Sequence, residues 1–412
     1  MRTSLALLVT LLIAPLASAS DWPQWLGPNR DSISPETVKP WKEPLKILWK
    51  QPVGEGHGGP VVADGKVFLH MRPTGKNEEA IAVFDANSGK PEWTTTYPRK
   101  ETKIPFGNGP RGCPTVDGGK VYTFGITGIL TCSDAKNDKI HWQVDTAKEY
   151  KGPSLYFGVS CSPIVEGDHV LVNVGAKGAS IVAFHKDSGK EVWKKLDDGA
   201  SYSSPAAIGS GESRQVIFLT AKGLVSIAPK DGTIYWQRKL VDLISESSTT
   251  PVLVDDIVFA SSITAGSIGV KLDSKATPPS IKDLWAKPLL TCYFATPVAH
   301  GKDTLYVVTG NNPLAFKKAS AVLRCIDATT GDELWQRDKV GTYHASLLRT
   351  GDGKFLMVEE PGNLVLFDPS RKAYSELSRS KICGNTWAHP ALANGRLYIR
   401  DAKELVCVEL AK

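Results

Sequence analysis

Apolar and polar residues alternate along most of the chain, in short runs cut by turn residues. Residues 60–93 show the unit. Pro60-Val-Val-Ala63 and Lys66-Val-Phe-Leu-His70 flank Asp64-Gly65, and an Asp-Gly pair between such runs predicts a β-hairpin. Ala80-Ile-Ala-Val-Phe-Asp85 predicts a third strand, Asn87-Ser-Gly-Lys90 a turn, and Pro91-Glu-Trp93 the opening of a fourth. The plan recurs. A small or polar residue precedes Pro at Gly59, Cys113, Ser162, Ser204, Thr250, Thr296 and His389, and a terminal Trp stands at 49, 93, 142, 193, 236, 285 and 335. Four antiparallel strands in about 40–50 residues make one propeller blade.

Two irregular copies settle the ring. Ser346–Leu377 keeps the strand pattern but lacks the Pro at the start of its first strand and the terminal Trp. The last copy, Pro390–Leu410, has three strands and no Trp, while Leu45-Lys-Ile-Leu-Trp49 reads as a fourth strand with no three before it. The two ends are expected to complete one blade, which removes the exposed sheet edges. The expectation is therefore an all-β, eight-bladed propeller of four-stranded antiparallel blades, closed by Leu45–Trp49.

The start of the chain differs in kind. Arg2, the apolar run Leu5–Leu16 and Ala17-Ser-Ala19 read as a secretory signal peptide over residues 1–19. The run is short for a membrane span, and no Cys follows it to carry a lipid. Residues 20–44 are a lead-in and residues 45–412 a single propeller. The expected product is exported, periplasmic or extracellular, free of any membrane span and monomeric. The formal net charge of +6 is spread along the chain without a basic stripe, so nucleic acid is not an expected partner.

Seven Cys cannot all pair within one chain. Cys132, Cys325 and Cys407 fill one third-strand position, held elsewhere by Val83, Ala183 and Ser226, and read as buried, inert thiols. Cys113, Cys161, Cys292 and Cys383 precede first strands. In an exported chain some of these can be disulfide-bonded, with Cys113–Cys161 the pairing between neighbouring repeats.

The motif Ala/Val-x-Asp-x-x-Thr/Ser-Gly-x-x-x-Trp stands here as Val83-Phe-Asp-Ala-Asn-Ser-Gly-Lys-Pro-Glu-Trp93 and Cys325-Ile-Asp-Ala-Thr-Thr-Gly-Asp-Glu-Leu-Trp335. On these residues the chain resembles the pyrroloquinoline-quinone (PQQ)-like propeller repeat family. Asp21-Trp-Pro-Gln-Trp-Leu-Gly-Pro-Asn-Arg30 is similar to the lead-in of its exported bacterial members. The resemblance implies that Trp49, Trp93, Trp142, Trp193, Trp236, Trp285 and Trp335 dock between blades. It leaves function divided. Some members are PQQ-dependent alcohol or sugar dehydrogenases. Others, like the propeller component of the outer-membrane assembly machinery, bind protein partners and carry no cofactor. The dehydrogenases hold the quinone with adjacent Cys residues and calcium ligands; this chain has no Cys-Cys pair. Nor does it have a Cys-x-x-Cys-His haem site, a phosphate loop or a nucleophile elbow.

The expectation is thus a binding scaffold in the cell envelope with protein partners, no cofactor, no metal and no catalytic residue. A PQQ- and calcium-dependent oxidoreductase is the first alternative; an enzyme or binder acting on polysaccharide is the second. In either case function is expected at the channel mouth, where the copies stop agreeing. Three residues before each Pro position stand His57, Arg111, Ser160, Tyr202, Ser248, Phe294, Tyr343 and Trp387, a set rich in aromatic and Arg side chains. One residue before stand Gly59, Cys113, Ser162, Ser204, Thr250, Thr296, Ala345 and His389. The candidate ligand- or partner-binding residues are His57, Arg111, Cys113, Cys161, Tyr202, Phe294, Tyr343, His344, Trp387 and His389. His57, His344 and His389 read as polar channel lining before they read as metal ligands. Trp22, Trp25 and Trp41 are expected to brace the scaffold. Gly107-Asn-Gly-Pro110 and Asn311–Lys318 read as longer surface loops.

Overall fold

The computed structural model describes residues 20–42, 44–152, 154–311 and 318–410. The signal sequence expected over residues 1–19 and most of the Asn311–Lys318 loop lie outside them. The described strands form eight four-stranded sheets, seven of them with neighbours in sequence order. Seven blades run Val61–Pro98, Thr115–Asp145, Ile164–Lys195, Ala206–Lys239, Val252–Lys287, Val298–Gly341 and Ala345–Lys381. The eighth takes three strands from Ala391–Glu409 and its outer strand from Ile47–Pro52. Closure is as expected, shifted by a few residues: Trp49 pairs with Cys407 and Gln51 with Leu405. Among the described residues no helix is long and apolar enough to cross a membrane.

The recurring Trp has a recurring partner. Across the ladder, Trp93 faces Val83, Trp142 Cys132, Trp193 Ala183, Trp236 Ser226, Trp285 Gly269 and Trp335 Cys325. The partner is always small because the indole lies over it; a Cβ on Gly269 would collide with the Trp285 ring. A register shift follows each of these pairs, turning the ring toward the next blade. There Trp49 Nε1 donates to Ala86 O (3.2 Å), Trp142 to Lys186 O (2.9 Å), Trp285 to Ala328 O (2.8 Å) and Trp335 to Ser370 O (2.7 Å). Trp236 instead donates to Gln215 of its own blade (2.9 Å).

Blade seven has Ser378 at the Trp position, opposite Leu366. The lead-in repairs the gap. Trp41 packs on the core joining blades seven, eight and one. Its backbone N–H and C=O both bond the Ser378 hydroxyl (2.8 and 2.7 Å), and its Nε1 donates to Ser380 Oγ (2.9 Å). The missing indole is thus supplied from outside the repeat.

The rest of the lead-in plugs the channel. Trp22 pairs through its backbone with Val62, and Val116 N donates to Pro23 O (2.8 Å). Arg30 is buried against the first strands of adjacent blades. Its guanidinium donates to Ser162 O (3.3 Å), Pro205 O (3.0 Å) and Pro163 O, and to Gln24 of the lead-in itself (2.9 Å). Burial holds its pKa down to about 10. Ser32 Oγ reaches Leu347 O (2.6 Å), and Trp25 Nε1 reaches Thr250 Oγ1 (2.9 Å). One short segment therefore ties first strands around most of the ring.

All seven Cys are buried and none is in a disulfide, so the Cys113–Cys161 pairing is corrected. Cys113 Sγ is committed elsewhere, accepting from Gly59 N at 3.1 Å.

Candidate functional site

At four steps of the ring the residues before the Pro position are joined into a partial girdle. Gly59 N donates to Cys113 Sγ (3.1 Å), Cys113 N to Ser162 Oγ (2.9 Å), Ser162 N to Ser204 Oγ (2.9 Å) and Thr250 N to Thr296 Oγ1 (3.2 Å). Each backbone N–H is satisfied by the next blade's side chain, which explains why small hydrogen-bonding residues recur there. Gly59 begins the series without a side chain because a Cβ there would meet the His389 carbonyl.

Two positions earlier the chain turns toward the channel mouth. A cavity of about 110 Å³ opens there, lined by His57, Arg111, Ser160, Tyr202, Ser248, Phe294 and Trp387 together with Trp25, Phe106, Phe157, Ser162 and Ser204. Seven of the eight ring positions thus meet at one place. The eighth, Tyr343, packs edge-on against Trp387 and Phe294, with centroids 5.8 and 6.4 Å away. Phe294 and Trp387 stack at 5.5 Å, and His57 stacks on Trp387 at 5.1 Å. Trp25 of the lead-in closes the inner end. A second cavity of about 330 Å³ shares His57, Phe106 and Trp387 and is bounded by Glu55, Glu360, Arg400 and Asp401.

Each polar side chain is positioned by a specific partner. His57 Nε2 lies 2.8 Å from Phe106 O, and burial followed by the nearby Arg111 charge lowers its pKa to about 4. The ring is therefore neutral at neutral pH. Arg111 donates from Nε to Phe157 O (2.9 Å) and from Nη2 to Pro105 O (2.8 Å) and Gly107 O (3.1 Å); burial lowers its pKa to about 10. Tyr202 Oη accepts from Phe157 N (2.9 Å). Trp387 Nε1 donates to Glu360 Oε1 (2.9 Å), whose other oxygen accepts from Thr342 N and Tyr343 N.

The other four candidates lie inside the wall. Cys113 and Cys161 are buried, with burial pushing their thiols up to about 12 and about 11. His389 is buried between Trp22 and Trp25, with Nε2 near Ser32 Oγ (2.9 Å) and Leu347 O (3.1 Å). His344 is buried with neither ring nitrogen hydrogen-bonded, and its pKa is lowered to about 3 by that burial and by His389. Among the described residues no group of three or more His, Cys, Asp or Glu is arranged to hold a metal ion.

Three wall residues escaped the sequence reading. Phe106 and Phe157 sit beside Gly107 and Gly158 in connections between blades, and the flagged Gly107–Pro110 loop was the nearest signal. Trp25 had none, since its place depends on where the lead-in threads.

A family model described as "Outer membrane protein assembly factor BamB" matches residues 77–320. No curated protein sequence matches the chain. Among solved structures, BamB from Moraxella catarrhalis is similar with a TM-score of 0.61 at 17% identity, covering 89% of this chain and 98% of that one. A europium-containing methanol dehydrogenase is similar with a TM-score of 0.65 at 13% identity, over 94% and 89% of the two chains. The quinohemoprotein alcohol dehydrogenase of Comamonas testosteroni gives 0.66 at 14% identity, over 95% and 81%. At these identities the structures share the fold, and the fold is common to binding proteins and enzymes.

Proposed function

The chain belongs to the family described as outer membrane protein assembly factor BamB, and on that premise we propose that it is an exported propeller that binds a protein partner of the cell envelope at its channel mouth. The observation that carries this reading is the convergence of seven ring positions, each from a different blade, on one aromatic cavity floored by Trp25. A scaffold residue repeats; these do not. Aromatic and Arg side chains gathered in a concave site are what interfaces use for affinity.

The lining fits quinone with calcium poorly. Calcium takes about six to eight oxygen ligands, largely carboxylates and carbonyls, whereas no carboxylate lines this cavity. The neighbouring acids are occupied: Glu246 accepts from Tyr293 Oη, and Glu360 from Trp387 and backbone N–H groups. The paired cysteines of the dehydrogenases are missing from the sequence. We therefore derive no redox step.

Site-specific photocrosslinking in the native cell tests the reading. A crosslinker at Phe106, on the mouth, is expected to capture an envelope protein; one at Ser88, in a turn at the far end of blade one, is not. Equal adducts from both positions, or adducts from Ser88 alone, would sink the proposal. A thermal shift with dye-linked activity on adding PQQ and calcium would favour the dehydrogenase reading instead.

A further inference from the structure

Four polar groups of the mouth cavity are spare donors. Ser162 Oγ, Ser204 Oγ and Tyr202 Oη each already accept a backbone N–H, at 2.9 Å in every case. A hydroxyl that has accepted retains its proton to give. Arg111 bonds only carbonyls, through Nε and Nη2, and leaves Nη1 over. The spare side-chain acceptors on the wall are neutral: His57 Nδ1, because Nε2 faces the Phe106 carbonyl, and Ser248 Oγ, which already donates to Glu246 O (3.0 Å). With no carboxylate in the lining, a guanidinium and three hydroxyl protons are left facing aromatic walls. That chemistry selects an anion carried beside a ring.

Size and surroundings say what kind of molecule carries it. The interior of about 110 Å³ is close to the roughly 150 Å³ of a cavity that admits one benzene ring. Around the mouth, on connections leading from one blade's outer strand to the next blade's first, stand Phe106 (55% exposed), Tyr156 (67%), Leu243 (75%) and Leu289 (97%). Large apolar side chains left in water around a concave site mark a protein interface. A small molecule would fill the cavity and leave this rim wet, whereas a polypeptide segment covers both.

We propose that the mouth receives an acidic aromatic segment of a protein partner, with one aromatic side chain in the cavity, the carboxylate of an adjacent Asp or Glu on Arg111, and apolar neighbours on the rim. This rests on the mouth being the partner site.

The test uses the peptide acetyl-Ser-Gly-Phe-Asp-Gly-Ser-amide and versions with Asn or Lys replacing Asp. Each is titrated calorimetrically into the exported chain, into Arg111→Gln and into Arg111→Lys, with circular dichroism checking that the variants fold. A charge-assisted hydrogen bond predicts that wild type prefers the Asp peptide over the Asn peptide by about ten-fold. Arg111→Gln is expected to erase the preference and Arg111→Lys to keep most of it. Equal binding of Asp and Asn peptides, a preference that survives Arg111→Gln, or a win for the Lys peptide overturns the proposal. So does cosedimentation with phosphatidylglycerol vesicles when no peptide binds. If all three peptides fail while crosslinks still form at Phe106, the acidic aromatic assignment falls and the partner site stands.

Discussion

Cys113, Ser162, Ser204 and Thr296 stand two positions after Arg111, Ser160, Tyr202 and Phe294, yet the two sets face different tasks. The first set hands a sulfur or hydroxyl to the backbone N–H of the preceding blade. That N–H is present in every repeat, so the residue type recurs. The second set meets residues from other blades across the mouth, where no repeated backbone group constrains it. Its members are as unlike as Ser160, Arg111 and Phe294. Repetition marks what closes the ring, and divergence within the same turn marks what the ring presents.

The comparison can be broken from the inner side first. Arg30 ties the plug to three blade carbonyls, so Arg30→Met leaves buried acceptors unpaired and is expected to cost about 2–4 kcal/mol in denaturant unfolding. A loss below about 0.5 kcal/mol, the size of an ordinary surface change, would mean the lead-in is not part of the cooperative unit. Next, Cys113→Ala removes a girdle acceptor and should cost about 1–3 kcal/mol, while Cys113→Ser keeps one and should stay within about 1 kcal/mol of wild type. If the two variants are equally stable, the girdle does not explain the residue type.

Acid separates the rings in another way. His344, His389 and His57 have pKa values lowered to about 3, about 4 and about 4, chiefly by burial. Unfolding restores the ordinary value of about 6.5, so the unfolded chain binds more protons below it. Stability is therefore full above about pH 6.5 and falls as pH drops toward 4, read as a declining Tm. His344→Leu should flatten that limb with little loss at pH 7, since neither ring nitrogen is hydrogen-bonded. An unchanged acid limb would rule His344 out as a contributor. The smallest effect is expected in the outer ring: Ser160→Ala should stay within about 0.5 kcal/mol of wild type, and a larger loss would erase the distinction between the rings.

Much of the scaffold was readable from the sequence because each blade restates it. Asp64-Gly65 and Asn394-Gly395 have positive φ at both residues, the conformation that tight hairpins require, and the sequence marks it. Val83, Ala183 and Cys325 share a position because each lies under a Trp. The mouth was half readable. His57, Arg111, Tyr202, Phe294 and Trp387 were placed by their offset from Pro, and the cavity gathers them. Cys113, Cys161 and His389 precede strands in the same way but lie within the wall, because a side chain's facing depends on the neighbouring blade.

What the sequence determined alone is what the repeat carries: eight blades, their turns, a small buried residue at one strand position, and a closing strand taken from the other end of the chain. Apart from the closing strand, which pairs Trp49 with Cys407 and was legible because each chain end holds an incomplete blade, these depend on hydrogen bonds and packing within about 50 residues or between equivalent positions of adjacent repeats. What only the tertiary structure decided depends on segments that do not repeat. Trp41 fills the place of blade seven's missing indole, Arg30 ties the lead-in to blades three and four, and Trp25 floors the mouth. Their partners lie far off in sequence, from Ser162 and Pro205 to Ser378. No local pattern encodes such contacts; they exist only once the ring has closed and given the lead-in a channel to fill.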